Sequence, residues 1–391
     1  MTAALVAARL RGLESSPTLA LAAKAKALRQ AGTSVADFTA GEPDFPTPAP
    51  IKQAAIKALE RNQTRYTPVP GIPELRAAIA TDLTRRLGVA YQPGQVIVSN
   101  GAKHSLYNAL QAVCDPGDEV LILSPFWVSY VPLVQLADGK PVLIETREED
   151  RYQPDPDAVR AAITERTRAI ILNSPSNPTG ILIERDRLEA IARLALDRDL
   201  IVISDEIYNQ LVFPPARAWS IVQIEPKLAG HTIVVNGVSK TYSMTGWRIG
   251  YAAGPAELVE AMIAFQSHAT SNPTSISQYA ALEAIAGDQA AVGRMVVEFQ
   301  KRRDRLAQGL NALPGLSCLL PQGAFYAWCN IATLRQSADT IAARWLEEAF
   351  VAAIPGEGFG SAHHIRFSFA TSMDVIDDGL ARLKQWLTKA V

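Results

Sequence analysis

Thr232-Ile233-Val234-Val235-Asn236-Gly237-Val238-Ser239-Lys240-Thr241-Tyr242-Ser243-Met244-Thr245-Gly246-Trp247-Arg248-Ile249-Gly250 opens on an apolar, β-branched run and breaks into polar residues around a lysine. The opening run reads as a strand buried on both faces, because consecutive apolar positions leave no polar side for water. Lys240 therefore stands at the end of a buried strand. Shielded from water, its amine gives up its proton more easily than a surface lysine and can attack a carbonyl. Arg248, eight residues on, offers a planar fork suited to a phosphate. The pair calls for one small molecule that carries both an aldehyde and a phosphate.

Six further runs of the same kind recur at 95–99, 119–123, 141–145, 168–172, 200–204 and 249–253, separated by stretches such as 102–113 and 188–198 with helical spacing and few breakers. Strands that alternate with helices predict an α/β fold: a three-layer α/β/α unit around a mostly parallel sheet, over residues 46–290. After Gly287 the pattern changes to a long polar helix, 288–310, then short alternating segments and a last helix at 374–389. These read as part of a second, smaller unit.

Composition narrows the chemistry. The chain has 391 residues, 48% hydrophobic and 20% charged, with a net charge of −1, which gives no electrostatic footprint for nucleic acid or an anionic membrane. Small-molecule substrates are expected. Cys114, Cys318 and Cys329 form no C-x-x-C pair and are odd in number, so neither a disulfide framework nor a zinc site is indicated, and a cytoplasmic location fits. The alanine-rich start is interrupted by Arg9, Arg11, Lys24, Lys26 and Arg29, unlike a signal or membrane segment. No metal is expected: His363 and His364 are adjacent on an extended segment and point apart.

The polar motifs fall just after the apolar runs, where a parallel sheet places its ligand crevice. Asp205 follows 200–204; alone it reads as a helix N-cap, but beside Lys240 it reads as the carboxylate that keeps a ring nitrogen protonated. Tyr208 and Asn177, the latter in Asn177-Pro178-Thr179-Gly180, can donate hydrogen bonds to a ring oxygen, although Asn-Pro-Thr-Gly is also a turn sequence and Tyr208 could be core. Gly101-Ala102-Lys103 opens a helix after a strand, placing backbone N–H groups where a phosphate docks, with Ser239 and Arg248 beside it; an ordinary strand–helix turn would look the same. Trp127 offers a flat face for stacking. Pyridoxal 5'-phosphate fits this set, and Lys240 is the residue that would carry it. In Ile365-Arg366-Phe367-Ser368-Phe369, alternation sends Arg366 and Ser368 to one face, where an arginine suits bidentate capture of a carboxylate.

Over essentially its whole length the chain resembles the class I and II, fold-type I aminotransferases, most closely the prokaryotic aspartate subgroup, on the stretch from Gly237 to Gly250 and on the motifs above. The resemblance implies a ping-pong transfer of an amino group from an L-amino acid, aspartate first, to a 2-oxo acid such as 2-oxoglutarate. Lys240 would act as general acid and base, Asp205 and Tyr208 would tune the ring, and Arg366 with Gly41 would bind the α-carboxylate. The resemblance joins residues 1–45 and 291–391 in one small domain. It also gives Tyr66, in Arg65-Tyr66-Thr67-Pro68, a place on the neighbouring subunit's phosphate, which implies a homodimer with shared sites. No Lys or Arg occurs from Ile249 to Gly293, where another aspartate subgroup carries its distal-carboxylate arginine. Ser16, Thr18 and Lys103 match the alternative set of the prokaryotic subgroup. Relatives with that set that also use prephenate commonly carry a basic residue near Ser16, where this chain has Glu14. Aromatic or broad donors, or a carbon–sulfur lyase on the same fold, are the remaining alternatives; no G-x-G-x-x-G follows the first strand, which excludes a nucleotide-binding oxidoreductase.

Overall fold

The structure is a computed structural model that describes residues 6–7, 10–11 and 17–390. In chain order the strands are β1 (Ala36–Asp37), β2 (Val96–Ser99), β3 (Glu119–Ser124), β4 (Lys140–Glu145), β5 (Thr167–Asn173), β6 (Ile201–Asp205), β7 (Thr232–Gly237), β8 (Gly250–Ala253), β9 (Ser317–Cys318), β10 (Tyr326–Asn330), β11 (Val351–Ala352), β12 (Ile354–Pro355) and β13 (His364–Ser368). Seven of them form one sheet in the order β2-β8-β7-β6-β5-β3-β4. These are the seven apolar runs, with ends that agree to within a residue or so.

Alternate residues of each run feed two separate cores, which is why consecutive positions are apolar. Ile97, Ile122, Ile171, Ile203 and Val235 pack with Leu106, Leu110, Val259 and Met262 of helices on one face. Val98, Leu121, Ile170, Val202 and Val234 pack with Leu75, Ile79, Leu188 and Ile191 on the other. The result is a three-layer α/β/α arrangement, as expected for a sheet covered on both sides.

One strand departs from the parallel reading: β8 runs antiparallel to both β7 and β2. A parallel return needs a crossover, usually a helix, whereas the loop 238–249 holds only a short 3-10 turn and folds straight back. That reversal carries Gly250 against the start of the helix Ala102–Val113, where an added Cβ would collide with Ala102 N and the Gly101 backbone. The helix expected at 188–198 begins earlier, at Arg185, because its first turn, Arg185-Asp186-Arg187, has no apolar residue to reveal the period. The two C-terminal helices lie at Ala290–Asn311 and Met373–Ala390, close to their expected bounds.

A second sheet, β12-β13-β10-β9, is antiparallel throughout, and β1 pairs in parallel with β11. Its β10 is reached through the chain 321–326, which threads between loops of the large sheet. Gln322 and Gly323 N–H both donate to Gly180 O, and Ala324 N–H donates to Leu211 O. Gly180 sits at φ +69°, and a Cβ there would lie 2.7 Å from Pro321 Cβ and 2.8 Å from Tyr326 O. The glycine of Asn-Pro-Thr-Gly is thus required by close approach as well as by the turn.

Gly180→Ala should lower the unfolding free energy by roughly 2–4 kcal/mol, from left-handed strain plus overpacking. Gly94→Ala, where an added Cβ meets nothing within 4 Å, should change it by less than about 0.5 kcal/mol. Urea titration of both variants checks this; equal effects would show that the 321–326 passage tolerates a side chain.

Candidate active site

The carboxyl ends of β5, β6 and β7 meet the second sheet around a cavity of about 500 Å³. Its wall brings together Gly41, Ala102, Lys103, Trp127, Asn177, Asp205, Tyr208, Ser239, Lys240, Arg248 and Arg366, residues up to 325 positions apart (366 − 41). Gly101 lies directly beneath: it opens the helix at φ +89° with no side-chain cap, and a Cβ on it would collide with Arg248 Nη2. Of the other expected contributors, Tyr66, expected at the neighbouring subunit's site, is described outside this wall, and two are not described. Tyr66 is 91% exposed and does not line the cavity. Ser16 lies outside the described residues, as does Glu14, and the side chain of Thr18 is likewise not described.

Asp205 ends β6 at 3% exposure. Burial pushes its carboxyl up to about 6, opposed by hydrogen bonds from the Tyr130 hydroxyl (2.7 Å) and the Ile207 N–H (3.2 Å). Lys240, three residues beyond the next strand, moves the other way. Burial lowers its amine to about 8; the Glu42 carboxylate resists this, while Arg366 and Arg248 add to it. Its Nζ donates to Gly41 O at 2.5 Å.

Arg248 adopts a left-handed backbone, φ 55°, that turns its side chain back over Gly101, with Nη1 donating to Thr245 O (2.9 Å) and Nη2 to Asn100 O (3.3 Å). The guanidinium lies against the uncapped first turn of the helix, and Ser239 lines the same cavity; together they are a donor set suited to a phosphate dianion. Arg366 is 4% exposed. Its Nη1 donates to Asn177 Oδ1 (3.0 Å) and its Nη2 to Thr39 O (3.5 Å), and the rings of Tyr326 and Phe359 lie 4.3 Å and 4.9 Å from its Cζ. Among the described residues it has no carboxylate partner, and its Nε has no partner at all. A buried guanidinium with neutral partners only is chemically suited to receive an anion.

Several participants escaped the sequence reading. Tyr130, Thr39, Glu42, Tyr326 and Phe359 each touch a site residue, yet none sits in a spacing that marks it. Tyr130 meets Trp127 edge-to-face in the fold. Lys103 Nζ lies 4.9 Å from the Trp127 ring centre, at the mouth of the cavity.

The arrangement fits pyridoxal 5'-phosphate. The buried Asp205 carboxyl, its pKa raised, has no ion-pair partner among the described residues, the Lys240 amine is lowered to about 8, and only a glycine at 101 lets the Arg248 guanidinium lie against the start of the helix.

Known proteins resemble this chain in sequence and fold. The family described as Aminotransferase class I and II matches residues 33–383. An aspartate aminotransferase of Bacillus subtilis is 43% identical over 98% of this chain and 99% of its own length. An aspartate/prephenate aminotransferase of Thermus thermophilus is 43% identical over 98% of each chain. The solved structure of the Thermus thermophilus aspartate aminotransferase with maleate superimposes with a TM-score of 0.94 at 43% identity, covering 97% of this chain and 99% of that one.

Burial of the Lys240 amine ties stability to pH. Between about 8 in the fold and roughly 10.4 unfolded, the unfolded chain binds the extra proton, so folding is penalised below that window and relieved as pH rises through it. Lys240→Met should therefore raise the melting temperature of the ligand-free protein at pH 7, with the gain fading above roughly pH 10. A gain independent of pH would mean that the amine is fully hydrated.

Proposed function

The chain belongs to the class I and II aminotransferases, enzymes that depend on pyridoxal phosphate, and on that premise we propose that it transfers the amino group of L-aspartate to 2-oxoglutarate. The observation that carries the reading is the company Lys240 keeps: one cavity holds an amine lowered to about 8, the buried anion receptor Arg366 and a second cation, Lys103, at its mouth. When bound, the cofactor supplies the carbonyl that takes up the amino group and a ring that accepts electrons from the substrate Cα. The protein does the rest.

In this reading Arg248, Ser239 and the N–H groups at Gly101, Ala102 and Lys103 hold the phosphate. Asp205 keeps the ring nitrogen protonated, and that cation in turn draws the Asp205 carboxyl down from about 6. Tyr208 and Asn177 donate to the ring oxygen, and Trp127 covers the ring face. Arg366 takes the α-carboxylate beside Gly41, which points the Cα hydrogen at Lys240. The Lys240 amine would take the proton from the substrate Cα and hold it for return; a pKa near 8 suits it to act as both base and acid near neutral pH. Lys103, with Ser16 and Thr18, takes the second carboxylate.

We assign residues 46–290 to a large cofactor-binding domain and residues 1–45 with 291–391 to a small one, so the site lies at their junction. No described helix is long and apolar enough to cross a membrane. A cytoplasmic location is part of the proposal, supported by three free cysteines. So is a homodimer: a tyrosine 91% exposed on an ordered loop suits delivery to a neighbour. Mixing Lys240→Ala chains with Tyr66→Phe chains should then create hybrid sites of altered cofactor affinity, and light scattering that finds a fully active monomer would remove the dimer.

A donor screen with 2-oxoglutarate tests the substrate. Aspartate should lead, and Lys240→Ala should abolish turnover. Arg366→Leu should cost every donor about 2–5 kcal/mol in kcat/KM, through loss of a buried charge pair. Lys103→Ser should cost aspartate and glutamate about tenfold or more while alanine and phenylalanine change little. An equal loss for all donors with weakened cofactor binding would make Lys103 a phosphate neighbour only.

A further inference from the structure

We propose that Tyr326 is a positioning residue that serves two partners at once: its hydroxyl supports Tyr208 as a hydrogen-bond donor, and its ring seats the guanidinium of Arg366. The inference rests on the roles given above to Tyr208 and Arg366 and extends them to a residue that neither motif contains.

Tyr326 begins β10 and is 1% exposed. Its hydroxyl lies 3.0 Å from that of Tyr208, itself 4% exposed, and the two rings meet edge-to-face at 5.9 Å and 83°. Each phenol carries one proton, and burial holds both above the ordinary tyrosine value, so both keep it. The proton count then dictates direction. If Tyr208 gives its proton to a ring oxygen, it has none left for Tyr326, and the 3.0 Å contact survives only with Tyr326 as donor and Tyr208 as acceptor. Donation into the Tyr208 oxygen polarises its O–H and strengthens the bond that Tyr208 makes onward.

The other half of the argument is geometric. The face of the same ring lies 4.3 Å from Arg366 Cζ, with Phe359 at 4.9 Å. Stacking on π faces compensates part of the desolvation of a buried cation without consuming N–H groups, which stay free for a carboxylate. The backbone of Tyr326 is fixed accordingly. Its carbonyl lies where a Cβ on Gly180 would approach to 2.8 Å, three residues from Asn177, and the preceding Ala324 N–H is bonded to Leu211 O, three residues from Tyr208. A single ring is thereby locked to the loops that carry both other donors.

The two halves separate experimentally, because Tyr326→Phe deletes the hydroxyl and keeps the ring, while Tyr326→Leu deletes both. In the holoenzyme, the pH midpoint of the visible absorption change reports the lysine–cofactor linkage. Donation to the ring oxygen favours the form in which that oxygen carries full negative charge, so losing support moves the midpoint upward. Tyr326→Phe should raise it by about 0.5–1 unit and Tyr208→Phe by more. The double variant should match Tyr208→Phe to within roughly 0.3 unit, since the effect passes through Tyr208. The dissociation constant of maleate, read by absorbance, should stay within about twofold in Tyr326→Phe and weaken about 3- to 10-fold in Tyr326→Leu. Circular dichroism and cofactor content establish that each variant is folded and loaded. An unmoved midpoint in Tyr326→Phe, additive shifts in the double variant, or unchanged maleate binding in Tyr326→Leu overturns the inference. An unmoved midpoint in Tyr208→Phe instead overturns the role of Tyr208 on which it rests.

Discussion

A guanidinium buried at 4% exposure without a carboxylate partner among the described residues is the most demanding feature of this fold. Taking a cation out of water costs several kcal/mol unless other groups compensate, and the structure spreads that compensation over four distant segments. Asn177 Oδ1 comes from the turn after β5, Thr39 O from the segment after β1, and the two rings from β10 and the turn at Glu357–Phe359. None of these is an anion, so the compensation is partial. On the proposed assignment a substrate carboxylate would complete it.

The same demand explains how the two sheets are joined. Arg366 belongs to the antiparallel sheet, Asn177 and Tyr208 to loops of the large one, and the chain 321–326 stitches them through Gly180 O and Leu211 O. Gly180 and Gly323 are obligatory because backbone passes backbone there: a Cβ on Gly323 would lie 2.6 Å from Pro175 Cγ and 2.8 Å from Leu211 O. At the phosphate corner, Gly101 and Gly250 give the same service for Arg248 and for the start of the helix. Close approach places the donors, and side-chain chemistry then uses them.

The large sheet was readable in the sequence because burial on both faces leaves its strands almost without polar interruptions, and the motifs at their ends followed from that geometry. The direction of β8 was not, since an apolar run has no polarity; the short loop before it holds that information. Asp205, Lys240 and Arg366 were legible as charged residues in apolar settings, where charge needs a reason. Tyr326, Phe359 and Tyr130 were not, because an aromatic residue in a core and one beneath a guanidinium look alike along the chain. Thr39 acts through its backbone carbonyl, which no side-chain pattern can reveal. The distal-carboxylate residues Ser16 and Thr18 rest on resemblance alone.

Burial moves the two central ionisable groups toward each other, Asp205 up to about 6 and Lys240 down to about 8. Both shifts oppose the charged form, so both work against the ligand-free fold near neutral pH: a raised carboxyl loses stability as pH rises through its folded value, and a lowered amine loses it as pH falls. On the proposed assignment, pyridoxal phosphate would relieve both strains, its ring nitrogen pairing with the Asp205 carboxylate and its aldehyde taking up the Lys240 amine. Folding and cofactor binding are therefore linked, since a ligand that binds only the folded chain stabilises it. Groups poised for chemistry are thus the same groups that make the empty protein less stable, and their electrostatic cost becomes part of the affinity for the cofactor.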